Sequence, residues 1–301
     1  MVNESRRKFI RNTSFVVGAL GVKPSFVLAA EDVETLTVLH TNDTHSNIDT
    51  FPANHAKYPN QGGVSKRFTM IEDIRRLQKN VLLLDAGDIF QGTPYFNMFG
   101  GVLEHKLMSE LGYDAATMGN HDFDIGLDGF LKAKQYASFD FICSNYDFLN
   151  TVLEGQTVKY KIFQRGKYKI GVFGLGVNFE GLVSKNLYKE TRYLDPVETA
   201  QEYVRILRRE KADLIICLSH LGYEYDSDKI SDLKLAAQTE GIHLIIGGHT
   251  HTFLEEPAQV LNKKGEITLV NQVGWAGVRL GRIDFQFRHR LKTNCVNKII
   301  V

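Results

Sequence analysis

Apolar and polar positions along the chain follow two different periods. Short continuous apolar runs recur at Leu36–Leu39, Val81–Leu84, Ala115–Met118, Phe139–Cys143, Ile170–Leu175, Leu214–Leu218 and Leu244–Ile246. Their lack of alternation predicts strands buried on both faces. Between them, Val64–Leu77 sets Phe68, Ile71, Ile74 and Leu77 on one helical face, with Lys66, Arg67, Asp73, Arg75 and Arg76 elsewhere. Gly101–Leu111, Leu127–Tyr136, Pro196–Arg209 and Ser231–Thr239 repeat that spacing. The step Asp195-Pro196 predicts a helix start, the acid as cap and the proline in the first turn. After Gly248 the pattern changes. Glu255–Asn262, Ile267–Gln272 and Val278–Phe287 are strand-like and close together. The expectation is an α/β layered fold with antiparallel strands towards its end, and no repeat or linker.

Five apolar runs end in polar clusters. Thr37–His40 leads into Thr41-Asn42-Asp43-Thr44-His45, and Val81–Leu84 into Asp85-Ala86-Gly87-Asp88. Ala115–Met118 leads into Gly119-Asn120-His121-Asp122, Leu214–Leu218 into Ser219-His220, and Leu244–Ile246 into Gly247-Gly248-His249-Thr250-His251. Open α/β sheets bind ligands outside the carboxyl ends of their strands, so the clusters are expected on one rim. They offer carboxylates, imidazoles and a carboxamide but no thiolate, a donor set suited to Zn, Mn, Fe or Mg. Asp43 and His45 are two apart, as are His249 and His251. In an extended segment each pair points to one side. The donors outnumber the needs of one tetrahedral ion, which predicts two metals sharing a carboxylate. Each piece alone reads as a capped loop or a hydrogen-bonded core histidine. The series reads as a metal site, because stability does not call for such loops. His55 and His105 lack a donor cluster, His40 and His243 fall at strand positions, and His289 sits in a solvated basic run.

The N-terminus adds an address. Arg6, Arg7, Lys8 and Arg11 precede a broken apolar stretch and the small residues Ala29 and Ala30. This is the order of an export signal, and Arg6-Arg7 followed by Lys8-Phe9-Ile10 is similar to a twin-arginine signal. We expect residues 1–30 to be that signal and residues 31–301 to be one domain. The apolar stretch is too short to span a bilayer. The formal charge of +1 becomes −3 for residues 31–301, with 31 basic and 34 acidic groups. That excludes a broadly basic protein binding nucleic-acid polymer. Three cysteines exclude a disulfide-dense scaffold, and Cys143, Cys217 and Cys295 allow at most one bridge.

Asp43-x-His45, Gly87-Asp88, Gly119-Asn120-His121-Asp122, His220 and Gly248-His249-Thr250-His251 resemble the calcineurin-like metallophosphoesterase motif series. Leu39–His45, Gly119–Asp124 and Leu218–Gly222 are similar to its 5′-nucleotidase and UDP-sugar hydrolase branch, which usually has Glu where Asp122 stands. The resemblance covers roughly residues 34–287. It implies a four-layer α/β/β/α sandwich with mixed sheets and a centre of two divalent metal ions (Mn, Zn, Fe, Co or Mg). It also implies that Asp43, His45, Asp88 and His251 hold one metal and Asp88, Asn120, His220 and His249 the other. A water activated by the metals would attack phosphorus in line. His121 would stabilise the transition state or protonate the leaving group, oriented and kept charged by Asp124.

The expected activity is hydrolysis of a phosphorylated small molecule, a nucleotide in a 5′-nucleotidase-type reaction. A cyclic phosphodiesterase, a nucleotide-sugar pyrophosphatase or a thiosulfohydrolase would use the same fold. A non-catalytic binding subunit is the alternative from another class. No counterpart of the nucleotide-binding C-terminal domain of two-domain relatives is expected in residues 31–301. That leaves an enzyme of broad specificity, a separately encoded nucleotide-binding subunit, or a pocket made by Asp49–Gly62 and Asn178–Tyr193. Tyr58, Tyr95, Phe96, Phe123, Phe179 and Tyr223 are aromatics expected near the rim, with packing as their other role. The expected location is exported, in the periplasm or outside a bacterial cell.

Overall fold

A computed structural model describes residues 33–288 and 291–300. The expected export signal and His289 lie outside them, as does the side chain of Cys295. The chain runs β1 (Val33–Thr41), α1 (Val64–Leu77), β2 (Val81–Asp85), α2 (Pro94–Phe99), α3 (Val102–Glu110), β3 (Ala115–Ala116) and a single 3₁₀ turn at His121–Phe123. It continues through α4 (Gly126–Lys134), β4 (Asp140–Phe141), β5 (Tyr146–Asp147), β6 (Tyr160–Arg165), β7 (Tyr168–Leu175), α5 (Lys185–Tyr188), β8 (Arg192–Tyr193) and α6 (Pro196–Arg209). Then follow β9 (Leu214–Ser219), α7 (Asp232–Gln238), β10 (Leu244–Ile246), β11 (Ala258–Leu261), β12 (Ile267–Asn271), β13 (Leu280–Arg288) and β14 (Leu291–Ile300).

Two six-stranded sheets carry the fold, ordered β14-β13-β1-β2-β3-β4 and β11-β12-β10-β9-β7-β6. Both are mixed. The centre of each is parallel, and antiparallel pairs such as β1 with β13 and β11 with β12 close the edges. The period of two along each strand explains the layering. Leu36, Val38, Leu82 and Leu84 face Ile170, Val172, Leu214, Ile216, Leu218, Leu244 and Ile246 in a core between the sheets. The alternate residues Leu39 and Leu83 pack under α1, α3 and α4 through Ile71, Ile74, Met108, Leu127 and Phe130. On the opposite side Ile215, Cys217 and Ile245 meet Ala200, Val204, Leu207, Leu235 and Ala236 of α6 and α7. Both faces of the central parallel strands β2, β3, β9 and β10 are therefore dry, as the continuous apolar runs predicted, and four layers result.

Local signals account for the helix starts. Asp195 accepts from Glu198 N at 2.8 Å with Pro196 next in chain, and Ser231 caps α7. One expectation for α1 is overturned. Phe68 and Leu77 stay exposed while Arg67 is buried. The Arg67 charge acts on the Tyr113 hydroxyl and on buried Asp85, so polar surroundings offset its burial. His40 occupies β1 and joins the sheets, accepting from Asn271 Nδ2 at 2.9 Å. His243 precedes β10, and its Nδ1 accepts from Ile215 N at 3.0 Å. Cys143 and Cys217 are buried free thiols.

Candidate metal centre

Four of the five polar clusters directly extend parallel strands, and Gly119-Asn120-His121-Asp122 follows β3 after two residues. β1 ends at Thr41, β2 at Asp85, β3 at Ala116, β9 at Ser219 and β10 at Ile246. Two groups of donor atoms form there. Asp43, His45 and His251 make one, and Asp88, His220 and His249 the other, each with donor atoms within 4.8 Å of one another. The groups adjoin. Asp88 Oδ2 lies 3.0 Å from His220 Nε2 and 3.8 Å from His45 Nε2. Asp43 Oδ1 lies 3.3 Å from His251 Nε2 and 3.9 Å from both His45 Nε2 and His220 Nε2. Asn120 is buried beside them, and the next residue's amide, His121 N, donates to Asp88 Oδ1 at 2.8 Å.

The local backbone differs from the extended pairs expected from spacing. Asp43, His45, Asp88, His249 and His251 all have φ between 46° and 73°. This left-handed region is uncommon for residues with a Cβ, although Asp and His tolerate it best. Five such residues at one rim mark stored backbone strain at a functional site. Close approach needs missing side chains as well. A Cβ on Gly119 would run into Asp88 and His220, and one on Gly248 would meet His220 and Asp43.

The rings are aimed by their second nitrogens. His220 Nδ1 donates to Ala86 O at 2.7 Å, and His45 Nδ1 to Phe90 O at 3.1 Å. Each bond fixes the tautomer that turns Nε2 inward as an acceptor. His251 stacks on Trp275, with ring centroids 6.0 Å apart. Asp122 braces the second loop. It accepts from the amides of Asp88 and Gly119 on one oxygen and from Ile89 and Phe90 on the other, at 2.8–3.3 Å. Asn42 ties the first loop to the last strands, donating to Asp43 Oδ2 and Gly274 O at 2.6 Å each.

Electrostatics separates the histidines. Burial disfavours a charged His220, but Asp88 and Asp43 outweigh it and push its pKa up to about 10. His249 falls to about 4, through burial and then the neighbouring His220. His121 is half-buried, and its Nδ1 donates to Asp124 Oδ2 at 2.8 Å. That bond raises its pKa, aided by the Asp88 charge. Its ring lies edge-on to His45, with centroids 5.3 Å apart.

A divalent cation fits this donor set. Two imidazole nitrogens, His45 Nε2 and His251 Nε2, converge to 3.0 Å beside a carboxylate. Asn120 Oδ1 is buried with no hydrogen-bond partner among the described residues. Oxygen and imidazole donors without thiolate suit Mn, Zn, Fe, Co or Mg. All nine predicted residues come to this rim. Of the predicted aromatics, Phe123 and Phe179 pack on Tyr146, Phe96 packs on Phe90, and Tyr95 donates to Asp49 at 2.7 Å. Tyr58 joins Phe51, Phe253 and Trp275, and Tyr223 is half-buried. The bracing roles of Asn42 and Asp122 were not foreseen. Their only trace in the sequence was membership of the polar clusters.

A four-layer α/β/β/α sandwich with two adjoining carboxylate–imidazole donor groups at its rim is the framework of a two-cation centre. The calcineurin-like phosphoesterase family model matches residues 36–253, and the chain belongs to that family. It is 35% identical over 246 residues to the snake venom 5′-nucleotidase of Gloydius brevicauda, covering 79% of this chain and 40% of that protein. It is 34% identical over 285 residues to the trifunctional nucleotide phosphoesterase YfkN of Bacillus subtilis, covering 84% of this chain and 18% of that protein. The structure of a 5′-nucleotidase precursor from Thermus thermophilus superposes with a TM-score of 0.81 at 32% identity, over 89% of this chain and 54% of that one. The chain thus spans about two fifths of the venom enzyme's length. No helix among the described residues is long and apolar enough to cross a membrane.

Proposed function

We propose that this chain hydrolyses phosphate esters as a 5′-nucleotidase-type phosphomonoesterase. One observation carries the reading: two donor groups share a rim with a half-exposed His121–Asp124 pair. Asp43, His45, Asp88 and His251 would hold one divalent cation, and Asp88, Asn120, His220 and His249 would hold the other. Two cations there would supply the charge that activates a water and clamps phosphoryl oxygens. The chain's residues do the rest. Asp88 and Asp43 carry the negative charge that such cations need. His121, kept protonated by Asp124, holds its proton at the open side of the centre and donates it to the leaving oxygen. Residues 1–30 direct export, residues 31–301 form one catalytic domain, and a nucleotide is the natural substrate.

A broader nucleotide phosphoesterase is the second reading, favoured by the likeness to the trifunctional Bacillus protein. The test is to strip the protein with chelator and reload it with Mn, Zn, Co or Mg. AMP, a cyclic nucleotide, a UDP-sugar and p-nitrophenyl phosphate are then compared. Metal-dependent turnover with preference for AMP supports the first reading, and comparable turnover of the cyclic nucleotide the second. Poor nucleotide selectivity with good p-nitrophenyl phosphate turnover points to a separate specificity subunit. No hydrolysis with any metal rejects both readings.

A further inference from the structure

The turn Gly248–Thr252 carries His249 and His251, one donor for each group. These two are the least supported imidazoles of the centre. Among the described residues, no hydrogen bond fixes the second ring nitrogen of either, unlike His45 and His220. Their aim depends on the backbone of the turn, which is left-handed at both positions. One buried side chain grips that backbone. Gln272, just after β12, accepts from Thr252 N at 3.0 Å and Thr250 Oγ1 at 3.2 Å. Its amide donates to Gly248 O at 2.6 Å and Asp232 Oδ2 at 3.3 Å. All four hydrogen-bonding valences of the carboxamide are used. Asp232 in turn accepts from Ser219 Oγ at 2.5 Å, and Ser219 adjoins His220. The chain Ser219–Asp232–Gln272 therefore joins the end of β9, the start of α7 and the His249–His251 turn.

We propose that Gln272 is a positioning residue that sets the cation affinity of both donor groups by holding this turn. The proposal rests on the metal-centre reading above. Outer partners that orient ligands are worth about 10–100-fold in metal affinity. The experiment titrates chelator-stripped full chain with Mn²⁺ by calorimetry and follows turnover of p-nitrophenyl phosphate against Mn²⁺. Gln272→Met should weaken Mn²⁺ binding by about tenfold or more, with turnover recovering at saturating Mn²⁺. Thr250→Val, which removes one hydroxyl from a half-buried position, should weaken it in the same direction by less. It decides the matter if the first variant does not fold. Asn271→Leu is equally deep, but its side chain meets His40 instead, so Mn²⁺ affinity should stay unchanged. Unchanged Mn²⁺ affinity in the Gln272 and Thr250 variants overturns the proposal while the metal centre stands. A parent chain that binds no Mn²⁺ overturns the metal-centre reading itself.

Discussion

His40 and His220 are both fully buried, yet they do opposite things. His40 lies in the core between the sheets, where burial drives its pKa down to about 3. His105, ringed by Phe90, Phe130, Phe139 and Phe141, falls to about 4 for the same first reason. His220 meets the same desolvation, but two carboxylates face it and its pKa rises to about 10. Burial sets the cost of charge, and the neighbours decide whether the cost is offset. A core histidine is a neutral polar filler. A rim histidine among carboxylates is suited to be a cation ligand, because a metal ion could take the place that the proton takes here.

The sharpest break in this contrast is Asp88→Asn, which removes a charge that both donor groups share. Turnover should fall by roughly 10⁴-fold or more, since cation stabilisation of the transition state is worth several kcal/mol. Metal analysis should show fewer than two ions per chain, and two retained ions would contradict the shared role. Next comes His121→Ala. Loss of a general acid should lower kcat by roughly 10²–10³-fold while metal content stays at two. In Asp124→Asn the pKa of His121 loses its largest support. The alkaline limb of the kcat profile should then move to lower pH, because the acid must be protonated to act. A limb that stays in place would remove His121 from that role.

The core histidines predict a smaller effect with a definite sign. Their folded pKa values lie below the unfolded value of 6.5, so between pH 6.5 and 4 the unfolded chain binds more protons. The stability they allow is complete above pH 6.5 and is lost as pH falls towards 4. Guanidinium melts at pH 7 and pH 4 read the difference. His105→Phe should shrink that difference by roughly 1–3 kcal/mol. An unchanged difference would show that His105 is not held neutral. The smallest effect belongs to His55, half-exposed against Phe51. His55→Ala should leave turnover and metal content as they are and shift stability by about 0.5 kcal/mol at most.

Much of the site was legible before the fold was. His45, His220, His249 and His251 stood out because each follows an apolar run, and His40 and His105 did not because they sit within other patterns. Spacing nevertheless misjudged the route. Asp43 and His45 reach the centre through left-handed turns rather than from an extended segment, and no two-residue period encodes that conformation. Asp122 was visible as a carboxylate in the series, but not as the acceptor of four amides from two loops. Gln272 left no trace at all. Its partners Gly248, Thr250, Thr252 and Asp232 are 20–40 positions away, and nothing about a glutamine after a strand foretells them.

The sequence by itself determined the layered α/β class, the helix starts at Asp195 and Ser231, and the chemistry available at the strand ends. These follow from local periodicity, capping and donor type, which are properties of neighbouring residues. Only the tertiary structure decided which donors come together, which histidines burial holds neutral and what holds the turn that carries His249 and His251. Those outcomes depend on distances and desolvation between residues far apart in the chain, and both exist only after the two sheets have packed.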